Sequence, residues 1–449
     1  MSSRPAPVAP AYICGDCGYS APKWFGRCPV CGGWASSEVR SSGSEIPSVS
    51  SLDGPVAEPQ RFSTGIPECD RVLGKGLVPG AVVLLAGEPG IGKSTLVLQL
   101  MHGVTRSGRR SLLVTGEESL GQVAMRARRL GVSTERCRAV ATTSLEATIA
   151  AVSDESPDLL VVDSVQTLRA AASDSAPGSP TVVRECAATL VQRAKETETA
   201  MILVGHITKD GGVAGPKSLE HIVDVVTSLD GERTGSVRLL RAAKNRFGSC
   251  EETGVFVMTE RGLEAVVDPS AMMLADRRAG VPGSVVFCGV EGTRPVLVEV
   301  QAMVSHNAHS QPRRIAIGLD GRRLTLTTGI LASRAGVKLD KSDVYAASAG
   351  GLAIREPAAD LAVSLAVLSA WHQQAIAPGI VAIGEIGLAG EIRRVPSLER
   401  RLGEAARLGF MTAVVPPVPG RVPPEMRVIE VTEVTTAFAA VRAASAPGA

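Results

Sequence analysis

Residues Gly87, Glu88, Pro89, Gly90, Ile91, Gly92, Lys93, Ser94 and Thr95 form a Gly-x4-Gly-Lys-Ser-Thr loop. Glycines let a backbone approach a polyphosphate closely, and successive N–H groups and the next helix's N-terminus face its negative charge. Lys93 can reach the β and γ oxygens, and the Ser94 hydroxyl can hold Mg2+. The loop therefore predicts binding of ATP or GTP. A second constellation opens the chain. Cys14 and Cys17, then Cys28 and Cys31, make two Cys-x2-Cys knuckles separated by ten residues. That spacing lets four thiolates close a tetrahedron on one Zn2+. With no histidine among them and no open coordination position, the expected metal is structural. A redox dithiol or paired disulfides are the rival uses, although a redox motif needs only one knuckle on a larger fold. A segment of about 30 residues buries too little surface to fold alone, whereas structural zinc supplies on the order of 10 kcal/mol.

Several elements must position these groups. The apolar run Ala81 to Ala86 reads as a buried strand before the loop, and an amphipathic helix is expected from near Ser94. Further apolar runs at Leu112 to Val114, Leu159 to Val162 and Met201 to Val204 alternate with helical periodicity, as at Val183, Ala187, Leu190, Val191 and Ala194. Strands without polar alternation, set between helices, predict a mainly parallel sheet covered on both faces, with ligand groups at the carboxyl ends of its strands. Asp163 ends one such strand, where a carboxylate can hold the magnesium shell. Glu117 and Glu118 follow another, where a carboxylate can orient an attacking water; Glu117 is the expected catalytic residue.

At 449 residues the chain is expected to hold two or three domains, and its net charge of +2 excludes binding to nucleic acid by the field of the whole molecule. The first residues lack an apolar signal region, and no run approaches the roughly 18 apolar residues of a membrane span. A soluble cytoplasmic protein is expected. Four of nine cysteines lie within the first 31 residues and the rest are scattered, which suits a metal site plus buried thiols in a reducing compartment. Lys23, Trp24, Arg27 and Trp34 lie in or beside the module, where they either contact nucleic acid or a neighbouring domain, or pack and solvate the metal site. The Ser-, Pro- and Gly-rich stretch over 35–60 reads as a flexible linker.

The block Ser63 to Leu73 followed by Gly76 to Gly80 resembles the entry to a RecA-type ATPase core. Lys244-Asn245-Arg246-Phe247-Gly248, together with Ala214 to His221 and the front knuckles, resembles the signature of the bacterial RadA (Sms) family of DNA repair proteins, over nearly the whole chain. That resemblance implies a DNA-dependent ATPase using ATP, Mg2+ and Zn2+. It further implies a homo-hexamer on single-stranded and branched DNA that drives branch migration in recombinational repair, with RecA recombinase as a partner. Lys244 and Arg246 are then catalytic in trans, reaching a neighbour's γ-phosphate, and His206 lies where related ATPases sense that phosphate. The segments Ala170 to Pro180 and Thr208 to Pro216 resemble channel loops that grip single strands, with Lys209 and Lys217 neutralising phosphates. Arg169 and Arg184 bound a first segment without lysine or arginine, which makes it the weaker grip. A nucleotide switch that recruits repair proteins without motor activity is the alternative.

From about Val266 the composition changes and the chain resembles the proteolytic domain of the Lon family, through Glu356 to Asp360 and Gly384 to Ile392. Where active members carry the nucleophilic serine this chain has Ala358, and Glu399 aligns with their activating lysine. A methyl group cannot attack a carbonyl, so peptidase activity is not expected. Ser348, Lys338 and Lys341 show no spacing for a substitute dyad. Arg313, Arg314, Arg322, Arg323, Arg393, Arg394, Arg400 and Arg401 offer DNA-binding surface. The expected organisation is a zinc-finger module over 1–34, a linker over 35–60, a RecA-like α/β ATPase domain over 61–265 and an inactive α/β Lon-like domain over 266–449.

Overall fold

The computed structural model describes residues 12–14, 17, 19–21, 25–34, 36–38, 60–132, 135–173, 175–176, 178–206, 218–231, 235–306, 311–418 and 420–445. The chain divides into two compact units, Met1–Glu58 and Pro59–Ala449. In the first, β1 (Tyr12–Cys14) pairs antiparallel with both β2 (Ser20–Ala21) and β3 (Ser36–Glu38). The third strand lies in the stretch read as linker. Its serines and glutamate resemble linker composition, yet pairing with β1 uses backbone groups that composition does not reveal.

The second unit begins with α1 (Pro67–Leu73) and β4 (Val82–Gly87), followed by α2 (Lys93–Arg106), β5 (Ser111–Thr115), α3 (Leu120–Arg129) and β6 (Cys137–Ala141). It continues through α4 (Leu145–Glu155), β7 (Leu159–Asp163), α5 (Pro180–Thr197), β8 (Ala200–His206), β9 (Val225–Asp230), β10 (Val237–Asn245), β11 (Thr253–Thr259) and β12 (Gly262–Ala265). These strands form a nine-stranded sheet of order β12-β11-β10-β9-β4-β8-β7-β5-β6. Pairing is parallel from β9 to β6 and antiparallel from β9 through β12. Every residue of β4 and β5, and all of β8 except His206, is buried, as expected for strands covered on both faces. The strands and helices read from the apolar runs are present. Separate hydrophobic clusters on the two sides of the sheet contain Leu96, Met101 and Ile202, and Leu84, Leu160 and Leu190.

A second sheet follows. The elements are α6 (Pro269–Leu274), β13 (Ser284–Glu291), β14 (Arg294–His306), β15 (Arg314–Ile317), α7 (Gly321–Arg334), β16 (Ser342–Ser348), α8 (Asp360–His372), β17 (Ile380–Ala382), β18 (Glu385–Ile386) and β19 (Ile392–Arg393). The described chain closes with α9 (Leu398–Arg407), β20 (Thr412–Val415), β21 (Arg427–Glu430) and α10 (Val434–Ala444). The seven-stranded mixed sheet has order β15-β16-β14-β13-β17-β20-β21, while β18 and β19 pair with each other. Helix α8 is buried from Asp360 to Ala370, so it carries no polar stripe and runs through the core. Ion pairs join the second sheet to the first part of the unit: Arg241 Nη2 of β10 meets Glu291 Oε2 of β13 at 2.6 Å, and Arg294 Nη1 of β14 meets Glu68 Oε2 of α1 at 2.5 Å.

Candidate functional site

Strand β4 ends at Gly87 and α2 begins at Lys93, so the loop between them lies at the carboxyl edge of the parallel strands. Gly92 caps α2 with φ 116°, a conformation that strains an L side chain, and a Cβ there meets Met258 Cε at 2.6 Å. The glycine is needed for the turn and for the packing behind it. Lys93 is 3% exposed, and its Nζ donates to Gly87 O at 2.8 Å and Glu88 O at 3.0 Å. Burial lowers its pKa, opposed by the charges of Asp163 and Glu117. Arg238, 5% exposed on β10, donates from Nε to Ile91 O at 3.2 Å and ties the loop to the antiparallel half of the sheet.

Asp163 ends β7, one strand from His206 at the end of β8. Burial raises the Asp163 pKa; a hydrogen bond with Ser94 lowers it, and the charge of Glu117 raises it further. Ligand atoms of Glu117, Asp163 and His206 all lie within 4.8 Å of one another. Glu117 Oε1 accepts the Ser164 hydroxyl at 2.6 Å and lies 3.0 Å from His206 Nε2. Glu118 is turned away: its Oε1 meets Arg126 Nη2 at 2.6 Å, an ion pair on the side of α3. The two adjacent glutamates therefore have different environments. Gly116 makes this possible, since a Cβ at that position meets Thr167 Oγ1 at 2.0 Å. Ser164, Gly116 and Arg238 were not recognisable as site residues, because each acts through a contact made only in the folded sheet.

Lys244 and Arg246, expected to act on a neighbouring subunit, make the following contacts within their own chain. Lys244 Nζ donates to Glu220 O and Val223 O, both at 2.7 Å. Arg246 Nη1 pairs with Asp224 Oδ1 at 2.9 Å, while Asp224 Oδ2 accepts Val82 N–H at 3.1 Å. Both cations thus bond to their own chain, Arg246 through Asp224 at the amino end of β4. Lys209, Lys217 and the whole segment Thr208 to Pro216 lie outside the described residues, as do Lys23 and Trp24. Arg169 precedes the partly described segment that leads to α5, and Trp34 is 79% exposed.

The arginines offered as a DNA surface separate into two groups. Arg401 is 2% exposed; its Nη1 donates to Cys288 O at 2.7 Å, and its Nη2 pairs with Glu356 Oε2 at 2.6 Å. Arg323 pairs with Asp360, with Nε to Oδ1 at 2.9 Å, and Arg314 donates to Ser342 O and Leu339 O. Arg401 is an internal tie, because a buried guanidinium group needs partners on several sides, whereas Arg314 and Arg323 are half-buried beside theirs. Burial removes Arg401 from the expected DNA-binding surface. Arg313, Arg322, Arg393, Arg394 and Arg400 are exposed. Ala358 is 3% exposed, and Glu399 is exposed with Oε1 accepting Arg421 N–H at 2.9 Å.

In the first unit Cys14 Sγ lies 3.5 Å from Cys31 Sγ, and Cys17 Sγ 3.5 Å from Cys28 Sγ. All four sulfurs lie within 4.8 Å of one another, and the cysteines are free thiols. Tetrahedral zinc with Zn–S near 2.3 Å requires sulfur separations of about 3.8 Å, so the four thiols fit a closed Zn2+ site. Ser94 with Asp163 likewise fits a Mg2+ shell, an oxygen donor pair beside the loop lysine.

Two family models match the chain: one described as an AAA domain over residues 54–212, and one described as a rubredoxin metal binding domain over residues 12–36. Among curated relatives, the DNA repair protein RadA of Halalkalibacterium halodurans is 44% identical over 421 residues, 90% of this chain and 92% of its own length. The RadA of Mycolicibacterium smegmatis is 42% identical over 460 residues, 98% of each chain. That of Escherichia coli K12 is 43% identical over 448 residues, 95% of this chain and 97% of its own. With the RecA-like α/β core, the phosphate loop and the front thiol cluster all present, the chain belongs to the RadA family of DNA repair proteins.

Proposed function

We propose that this chain acts in DNA repair as a DNA-dependent ATPase that translocates on single-stranded DNA and promotes branch migration of recombination intermediates. The observation that carries the reading is the convergence of Lys93, Asp163 and Glu117 at the strand ends beside the phosphate loop. Its relatives bear the name DNA repair protein RadA, which supports the repair role.

Lys93 holds the β and γ oxygens of ATP, leaving the two carbonyls it now serves. Ser94 and Asp163 would hold Mg2+, which when bound neutralises charge on those oxygens. Glu117 aligns a water and takes its proton as the water attacks the γ-phosphate. In a homo-hexameric ring, Lys244 and Arg246 leave their internal partners and stabilise charge on a neighbour's γ-phosphate. Exchange of these contacts couples nucleotide state to the segments over 170–180 and 208–216, which track the DNA backbone. RecA recombinase is the partner on branched intermediates. The front module binds Zn2+ as a structural element, and the region from 266 onward is a Lon-like scaffold without a peptidase nucleophile.

Steady-state ATP hydrolysis with and without single-stranded DNA, followed by extension of a branched joint molecule, tests the reading. Stimulation by DNA with ATP-dependent branch movement is expected. Tight ATP binding with a rate indifferent to DNA would overturn the motor and favour a recruiting switch.

A further inference from the structure

We infer that Ser164 is a positioning residue for ATP hydrolysis, aiming the Glu117 carboxylate through the hydrogen bond to its Oε1. The inference rests on the reading of Glu117 as the residue that orients the attacking water. Ser164 is fully buried at 0% exposure, and its hydroxyl donates to Glu117 Oε1 at 2.6 Å. It is itself fixed: its carbonyl accepts the Thr167 hydroxyl at 2.8 Å and Thr167 N–H at 3.2 Å. The same turn holds the backbone before Glu117. Gly116 N–H donates to Asp163 O at 3.0 Å, and Gly116 packs so closely on Thr167 that no Cβ fits between them. Asp163 and the short segment that follows it therefore hold the backbone at Gly116, just before Glu117, and one carboxylate oxygen of Glu117.

The distribution of contacts on that carboxylate makes the grip directional. Ser164 and His206 both engage Oε1, and Oε2 makes no hydrogen bond among the described residues. The Glu117 side chain is 41% exposed, so one oxygen is anchored and the other is left to take a proton from water. A carboxylate free to rotate about its last torsion samples many directions, and a small misalignment of a catalytic group costs a large factor in rate. A buried hydroxyl on a fixed turn removes that freedom. His206 lacks the same fixity, because its Nδ1 is buried without a partner among the described residues. Ser164 is thus the firmer of the two anchors.

The test compares wild type, Ser164→Ala, Glu117→Gln and the double variant of the full chain in single-turnover ATP hydrolysis, with affinity for a fluorescent ATP analogue measured alongside. The expected result for Ser164→Ala is a rate about tenfold lower with affinity changed less than twofold, because a charge-assisted hydrogen bond is lost while the phosphate loop is untouched. In the Glu117→Gln background, Ser164→Ala changes the residual rate less than twofold, since the group being aimed is gone. Ser164→Cys, which keeps a weaker donor, gives an intermediate rate and guards against misfolding of the alanine variant. A full rate in Ser164→Ala, or an equal loss in both backgrounds, overturns the positioning role while Glu117 keeps its own. Wild-type turnover in Glu117→Gln overturns the reading of Glu117 and the role of Ser164 with it.

Discussion

Charged groups cluster in two parts of the larger unit, and they are treated differently. At the carboxyl ends of the parallel strands, Asp163 and Glu117 gather beside a single buried lysine, and burial raises the Asp163 pKa and lowers that of Lys93. Around the mixed sheet three acids have a guanidinium of their own: Glu356 has Arg401, Asp360 has Arg323, and Glu68 has Arg294. The paired charges brace the fold. The crowded ones form an arrangement that folding alone does not favour, which is the mark of a site built for a ligand of opposite charge. The same contrast separates the neighbours Glu117 and Glu118, one in the cluster and the other bridged to Arg126.

Substitutions that exchange these roles test the contrast. The largest effect is expected at the crowded end, where Lys93→Ala reduces ATP hydrolysis by on the order of a thousandfold, read by phosphate release. Next is the paired region: Arg401→Ala strands Glu356 and the Cys288 carbonyl, and urea unfolding shows a loss of about 3–5 kcal/mol. Asp163→Asn has the opposite sign. With its folded pKa raised, the Asp163 carboxylate is penalised when ionised, an effect absent at low pH that sets in as pH rises through the unfolded value near ~3.9. Measured without nucleotide or Mg2+, the asparagine variant melts above wild type at pH 7, and the gap closes as pH falls toward that value. Smallest is Arg394→Ala, an exposed arginine whose removal changes unfolding free energy by less than about 0.5 kcal/mol.

Much of the crowded end was legible in the sequence because its signals are local. The phosphate loop is contiguous and Asp163 closes an apolar strand; in the separate first unit the four thiols likewise fit one ion as their spacing implied. The pair Glu117 and Glu118 was legible as a pair, but their separation depends on Gly116 fitting against Thr167, 51 residues on, which no pattern records. The paired region was legible as a mixed α/β body and misread in its charges. Arg401 and Glu356 stand 45 residues apart, Arg323 and Asp360 stand 37 apart, and adjacent arginines look alike in sequence although Arg401 is buried beside an exposed Arg400 while Arg393 and Arg394 are both exposed. Lys244 and Arg246 carry a family signature, yet on this chain their contacts are carbonyls and Asp224.

The most direct measurement is DNA-stimulated ATP hydrolysis by Glu117→Gln beside Glu118→Gln, with ATP affinity recorded for both. If the cluster at the strand ends is the catalytic centre, Glu117→Gln binds ATP and loses turnover by on the order of a hundredfold or more, while Glu118→Gln stays within a few-fold of wild type. Loss of turnover at Glu118 with Glu117→Gln active would contradict it.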